Sequence, residues 1–423
     1  MNEALTTVNE TLSTPRNLSE KIDLLAKVAI QAGLGLQPGQ DLLIVASIDS
    51  LQLVRCMTAH AYRAGASLVT TLYTDDEATL ARYRLASNDS FDRAANWLYD
   101  GIATALKSGT ARLTITGANP SLLANEDLDK VDRANRSVSV AYRPALELIT
   151  RHAINWTIVA GATPAWASAM FPEDTPELAL AKLWEAIFYT SRINCADPAA
   201  AWKEHDANLQ RRAAVLNEKR YAWLQYKGPG TDFRVGLAEE HLWLGGGTTA
   251  GNGIYCIPNI PTEEIFTTPH KERAEGVVTA TKPLSYHGSM IEGIQVRFRE
   301  GRIVEARATR GQEVLQKLIS TDEGACRLGE VALVPHSSPI SASGLTFLNT
   351  LFDENAASHL ALGQAYSTCL RDGEKMTPQQ LAAHGANESL IHVDWMIGSA
   401  ELDVDGILAS GVAEPLMRKG EWV

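Results

Sequence analysis

The sequence predicts an α/β N-terminal domain, a mostly parallel sheet with helices on both faces, followed by a mixed α+β C-terminal domain. Three observations carry this. Short apolar runs at 41–47, 67–73, 111–117 and 155–161 alternate with helical patterns through the first half of the chain. A charge-rich helical stretch from about 199 to 219 then closes that half. Beyond it the texture changes to strand-like segments joined by tight turns.

The elements follow in order. The first fifteen residues are polar and are expected to form a flexible N-terminal segment, leaving domains at 16–220 and 221–423. Asn17 with Glu20 three residues on reads as a capping box. Ile22, Leu25, Ala29 and Ala32 then recur at helical spacing up to Gly33. Pro38-Gly39 precedes DLLIVAS, a buried strand, and Asp49 suits the cap of the helix that runs on to Gly65. Thr175-Pro176 opens a strong helix with proline in its first turn, carrying Leu178, Leu183, Trp184 and Ile187. In the second half, AWLQYKG and FRVGLA read as strands around Gly228-Pro229-Gly230. IQVRFREGRIVEARA reads as a hairpin turning at Glu300-Gly301.

Composition narrows the function. A hydrophobic share of 45% against 21% charged residues describes a globular chain long enough for two cores. Its 38 basic and 50 acidic side chains leave a net charge of −12 and no basic cluster, so nucleic acid and anionic membranes are excluded as partners. The five cysteines are widely spaced and form no CxxC, which fits a reducing compartment. The polar start lacks a signal peptide's apolar core, and no apolar run is long enough to cross a bilayer, so the expected location is cytoplasmic. There is no GxGxxG and no phosphate loop; Gly245 to Gly247 lack a following lysine.

Metal-ligating residue types gather in the last third. In IHVDWMIGS, His392 and Asp394 alternate with Ile391, Val393 and Trp395, so on a strand both polar side chains share one face. Spacing alone fits a metal edge and a solvated strand equally. In LFDENAASHLALGQAY, Asp353 or Asn355 can cap a helix carrying His359, with Tyr366 two turns further on the same face. Glu330 in RLGEVALVP stands at the start of an apolar strand from Val331, after a turn at Gly329. Glu263 and Glu264 in NIPTEEIFTTP are adjacent, so in an extended segment only one of them faces a given site. Three carboxylates and two imidazoles suit divalent transition metals and exceed the four-ligand shell of a structural zinc. His241, His270, His287 and His384 have no partner at informative spacing. Ser337, Ser338 and Ser341 beside His336 lack a nucleophile elbow.

These strings resemble the aminopeptidase T and aminopeptidase S family, two-metal bacterial aminopeptidases of the thermophilic leucyl type. NIPTEEIFTTP, RLGEVALVP, LFDENAASHLALGQAY and IHVDWMIGS carry the likeness, as do GPGTDFRVGL, DPAAAWKEHDANLQRRAAVLN and TPAWASAMFP. It spans most of the chain beyond Leu18. The resemblance implies metal ligands at Glu264, Glu330, His359, His392 and Asp394, and an active-site tyrosine at Tyr366. It leaves Glu263 as a candidate base or a holder of the substrate amine. His336 in VPHSSPIS departs from the expected tyrosine, outside the ligand set.

The implied activity is hydrolysis of the N-terminal peptide bond of short peptides with a free N-terminus. It would use two divalent ions per chain (zinc, cobalt, manganese or magnesium) that activate a water, with Glu330 bridging them. A homodimer is also implied, its N-terminal domains helping to wall the cavity. The rival is a single-iron ring-cleaving dioxygenase of similar fold, for which His359, His392 and Asp394 alone would suffice. Glu264 and Glu330 are superfluous to it, and their presence favours the peptidase.

Overall fold

The computed structural model describes residues 16–286 and 289–423. The expected flexible segment at 1–15 and the candidate His287 lie outside them.

The first half is the parallel α/β layer structure that the alternating runs predict. Strands β1 (Leu42–Ser47), β2 (Val69–Thr74), β3 (Ala111–Thr116) and β4 (Trp156–Ala160) pair in parallel. Side chains alternate across β1. Leu42, Ile44 and Ala46 join a core with helices α1 (Leu18–Val28) and α2 (Leu51–Arg63), while Leu43 packs with Ile102, Leu106, Ala145 and Ile149 from α3 (Asn96–Lys107) and α4 (Leu128–Thr150). The Asn17–Glu20 capping box opens α1, and Thr175 caps α5 (Pro176–Thr190). The expected Asp49 cap is not formed. Ser47 accepts from the Asp49 backbone instead, at a 3₁₀ turn over Ile48–Ser50 that precedes α2.

The second half stacks two sheets. One has eight antiparallel strands and includes Trp223–Gly228, Thr231–Leu237 and the predicted hairpin of Gln295–Arg299 and Arg302–Arg307. Glu300 and Gly301 both take positive φ at that turn, the backbone a tight hairpin needs. The other sheet runs, in spatial order, β10 (His392–Met396), β9 (His359–Gly363), β8 (Leu328–Leu333), β7 (Ile265–Thr267) and β5 (Leu244–Gly245). Val331, Leu333, Leu360, Leu362 and Trp395 project from it into a core shared with Leu224, Tyr226, Phe233, Val235 and Phe298 of the larger sheet.

The two halves interlock rather than meet at residue 220. Helix α6 (Pro198–Lys219) puts Trp202 into the first core and Leu209, Ala213 and Leu216 into the second. The chain then returns to the first sheet. Strand β6 (Asn259–Ile260) adds to β4 in parallel, so the first sheet runs β6-β4-β3-β1-β2. Ile257, Ile260, Phe347 and Phe352 fill the first core, and the Trp166 indole donates to the Phe347 carbonyl at 2.5 Å. A cis peptide joins Ile260 to Pro261, and Glu263 and Glu264 follow before β7 begins.

Candidate metal centre

One face of the five-stranded sheet carries the polar residues, and the strand register explains how. Glu330 on β8 lies opposite Ala361 on β9, and Ala361 lies opposite Asp394 on β10. Two residues away, Ala332 faces His359 and Gly363 faces His392. Small side chains thus separate the polar ones, leaving space above the sheet. At Gly363 the need is steric: φ is 102°, and a Cβ would meet the Ile391 carbonyl oxygen at 2.1 Å.

The structure brings Glu264, Glu330, His359, His392 and Asp394 together. His359 Nε2 lies 3.1 Å from Glu264, 3.5 Å from Glu330 and 4.0 Å from Asp394. His392 Nε2 lies 3.4 Å from Glu330 and 3.5 Å from Asp394. Two ligand-like triads result: Glu264, Glu330 and His359, then Glu330, His392 and Asp394, each with donor atoms within 4.8 Å of one another. Glu330 belongs to both, offering one carboxylate oxygen to each imidazole. Both imidazoles are aimed from behind. His359 Nδ1 lies 3.1 Å from the Ala357 carbonyl, and His392 Nδ1 lies 2.7 Å from that of Gln364. Donation to those carbonyls commits Nδ1 and turns Nε2 toward the carboxylates, the usual support of a metal-ligating histidine.

Two corrections to the sequence reading follow. His359 and Tyr366 are not on one helix. The helix ends after Thr350–Asp353 and a 3₁₀ turn over Glu354–Ala356, and Ala357 is already extended. HLALG then forms an interior strand of the sheet, between β10 and β8, because pairing on both edges outweighs a local pattern that fits helix and strand alike. Tyr366 reaches the site from beyond the end of that strand, its ring 4.7 Å from that of His392. Glu330 is not at a strand start either; the strand begins two residues earlier, with a bulge before Glu330.

The electrostatics are those of a buried cluster of acids and imidazoles that stabilise one another. Burial pushes the Glu264 carboxyl up against the lowering pull of His359. Burial alone would depress both imidazoles, but the facing carboxylates outweigh it and raise His359 and His392 well above the ordinary histidine value. Asp394 is held down by His392 despite its burial. Burial and the surrounding carboxylates push the Tyr366 phenol up, so it stays protonated and able to donate. Glu264 Oε2 and Asp394 Oδ1 are buried and face only the two imidazoles, His359 at 3.1 Å and His392 at 3.5 Å, with no well-aligned hydrogen bond. Buried carboxylate oxygens gathered around two imidazole nitrogens fit divalent cations.

Glu263 turns the other way, as adjacency in an extended segment requires, and its carboxylate is held by Arg192. Sequence reasoning missed Arg192, His205 and Glu354. Glu354 sits on the 3₁₀ turn before His359, its carboxyl pushed well up by burial and by Glu264 and Asp394. Its amide donors, Asn355 and Asn259, are at 3.4 and 3.5 Å. Nothing in DENAA shows that this acid turns inward. His336 contacts Ser341 at 3.3 Å, and Ser337 bonds Glu421, so the serines there make no triad.

The chain is similar to known proteins along nearly its whole length. The thermophilic metalloprotease (M29) family model matches residues 18–422. Aminopeptidase T of Thermus thermophilus is 50% identical over 402 residues, covering 95% of this chain and 98% of that protein. Aminopeptidase AmpS of Bacillus subtilis is 41% identical, covering 96% and 99%. The solved structure of wild-type AmpT from Thermus thermophilus superposes with a TM-score of 0.92 at 49% identity, over 96% of this chain and all of that one. A 2,5-dihydroxypyridine dioxygenase from Pseudomonas putida KT2440 shares the fold at a TM-score of 0.53 and 12% identity, over 97% of this chain and 98% of that one.

Two expectations come from this site. Raised imidazole pKa values mean that protons occupy Nε2 at neutral pH until metal displaces them. Metal uptake by the chelator-stripped protein should therefore release protons, approaching about two per chain, and affinity should rise with pH through the neutral range. Titration calorimetry in buffers of different ionisation enthalpy measures this; buffer-independent heats would contradict it. Second, Ala361→Leu should fill the gap between Glu330 and Asp394. Metal affinity should fall by at least about tenfold, with a stability cost of about 1–3 kcal/mol. Unchanged metal binding would place the metal elsewhere.

Proposed function

Because the chain belongs to the thermophilic metalloprotease (M29) family, the family of aminopeptidases T and S, and is a metal-dependent aminopeptidase, we propose that it holds two divalent cations on Glu264, Glu330, His359, His392 and Asp394 and releases N-terminal residues from short peptides. The observation that carries the count of two is the pair of triads sharing Glu330. Glu264 and His359 would serve one cation, His392 and Asp394 the other, and Glu330 both. When bound, such cations acidify a water toward neutral pKa and polarise a carbonyl. Zinc, cobalt, manganese and magnesium all remain compatible with this mixed set of oxygen and nitrogen donors.

The chain's own residues supply the rest. Tyr366, kept protonated by its acidic surroundings, donates a hydrogen bond to the oxyanion that forms as the peptide carbonyl is attacked. Glu354 adds a fourth carboxylate beside the five ligands. Counted with two divalent cations and a hydroxide, the three ligand carboxylates leave a neutral centre. Glu354, whose carboxyl is pushed well up by burial and by Glu264, stands beside that centre as a hydrogen-bonding group for a substrate's free α-amino end. Glu264, buried against His359, has no role in the single-iron alternative. The N-terminal domain exposes Leu85, Trp97, Leu128 and Val140, apolar surface that supports a homodimer enclosing the cavity. All five cysteines are free, in keeping with a reducing, cytoplasmic setting.

Elemental analysis of protein reconstituted with cobalt or zinc should give about two ions per chain. That preparation should hydrolyse a leucine anilide and leave its N-acetylated form intact. Tyr366→Phe should keep both ions while kcat falls by about 10²–10³-fold. One ion with full activity would sink the two-cation reading, and a near-normal kcat would make Tyr366 structural. Light scattering should report twice the chain mass; a fully active monomer would remove the dimer from the account.

A further inference from the structure

The residue before the first ligand is held by an unusually complete set of bonds. The Glu263 carboxylate takes two from the Arg192 guanidinium, at 2.6 and 2.9 Å, with the glutamate side chain 3% and the arginine side chain 14% exposed. That is a bidentate, desolvated pair. Arg192 stacks over the Trp202 ring at 5.0 Å, and its second nitrogen lies 3.1 Å from His205 Nδ1. His205 Nε2 lies 2.8 Å from the Thr262 carbonyl. Donation there leaves Nδ1 as the acceptor that faces Arg192, so the network is internally consistent. The Glu263 backbone N–H donates to Asn355 Oδ1 at 2.7 Å. Thr262 and Glu263 are thus fixed at carbonyl, amide and side chain. Ile265, one residue past Glu264, is already paired with Leu333 in the sheet.

Arg192 itself is set with care. It takes a left-handed backbone, φ 59°, just past the end of α5, and its N–H bonds the Tyr189 carbonyl. The next N–H, of Ile193, bonds the Phe188 carbonyl, so this is the left-handed close of a helix end, and it fixes where the Arg192 side chain departs. The following turn is stapled by Arg16, whose guanidinium donates to the carbonyls of Ile193, Cys195 and Ala196.

We infer that Arg192 is a positioning residue for Glu264, acting through Glu263: the clamp fixes the peptide from which Glu264 projects and so sets the affinity of the cation that Glu264 serves. This rests on the proposed ligand role of Glu264. Glu263 then acts neither as a base nor as a holder of substrate, since both its oxygens are already engaged by Arg192.

The test is metal affinity, measured by competition with a chromophoric chelator for cobalt or zinc, beside the thermal stability of the metal-free protein. Arg192→Met should weaken one of the two cations by about 10–100-fold and leave the second near its original affinity. Arg192→Lys, keeping the charge without the fork, should recover part of the loss. If Arg192→Met does not fold because Glu263 is left buried and unpaired, the double variant Arg192→Met with Glu263→Leu removes that charge. It should still bind one cation weakly. Full affinity for both cations in a folded single or double variant, with only the melting temperature lowered, would make the clamp a mere brace and overturn the inference. Glu264→Gln is the control. If it leaves both affinities unchanged, the ligand reading has failed rather than the clamp.

Discussion

Three carboxylates pressed together below the surface repel one another, and much of this half of the molecule serves to hold them there. At an effective dielectric of about 20 and a separation of about 4 Å, each pair of like charges costs about 4 kcal/mol. In the metal-free site, His359 and His392 relieve that repulsion by staying protonated. Divalent cations would relieve it more completely by taking the place of those protons between imidazole and carboxylate. The scaffold must therefore resist the repulsion without help from flexible loops. Four of the five residues project from neighbouring strands of one sheet whose far face is a packed apolar core, and the fifth precedes a strand of the same sheet. The backbone carbonyls of Ala357 and Gln364 fix the two imidazoles in turn.

Period-two alternation made part of this legible in advance. His392 and Asp394 share a strand face as their spacing requires, while short apolar runs set between helical patterns marked out β1 to β4 of the parallel sheet. His359 was harder. Its five-residue run carries no more strand signal than helix signal, and only its neighbours β8 and β10 decide the matter. Glu330 was misplaced within its strand because Gly329 reads locally as a turn, whereas here it allows a close approach to the backbone of Gly363 and Gln364. The likeness of whole strings to a known family supplied the candidate ligands where local pattern could not.

Arg192, His205 and Glu354 were invisible for a different reason. Arg192 lies 71 residues from Glu263, and nothing local announces a pairing over that distance. Glu354 looks like an ordinary acid near a helix end until the chain is folded against Glu264 and Asp394. Long-range polar partnerships of this kind carry no periodic signature, so they emerge only with the fold.

The excursion of β6 into the first sheet has a consequence for how such a chain can change over time. Residues after 250 complete the edge of a sheet begun before residue 50, and α6 belongs to both cores. A genetic crossover at residue 220 would therefore not exchange independent modules. It would hand one parent's sheet edge to another parent's sheet, and only closely matched partners would fit. The catalytic half cannot be borrowed by an unrelated chain, so variation here must accumulate residue by residue across the whole molecule.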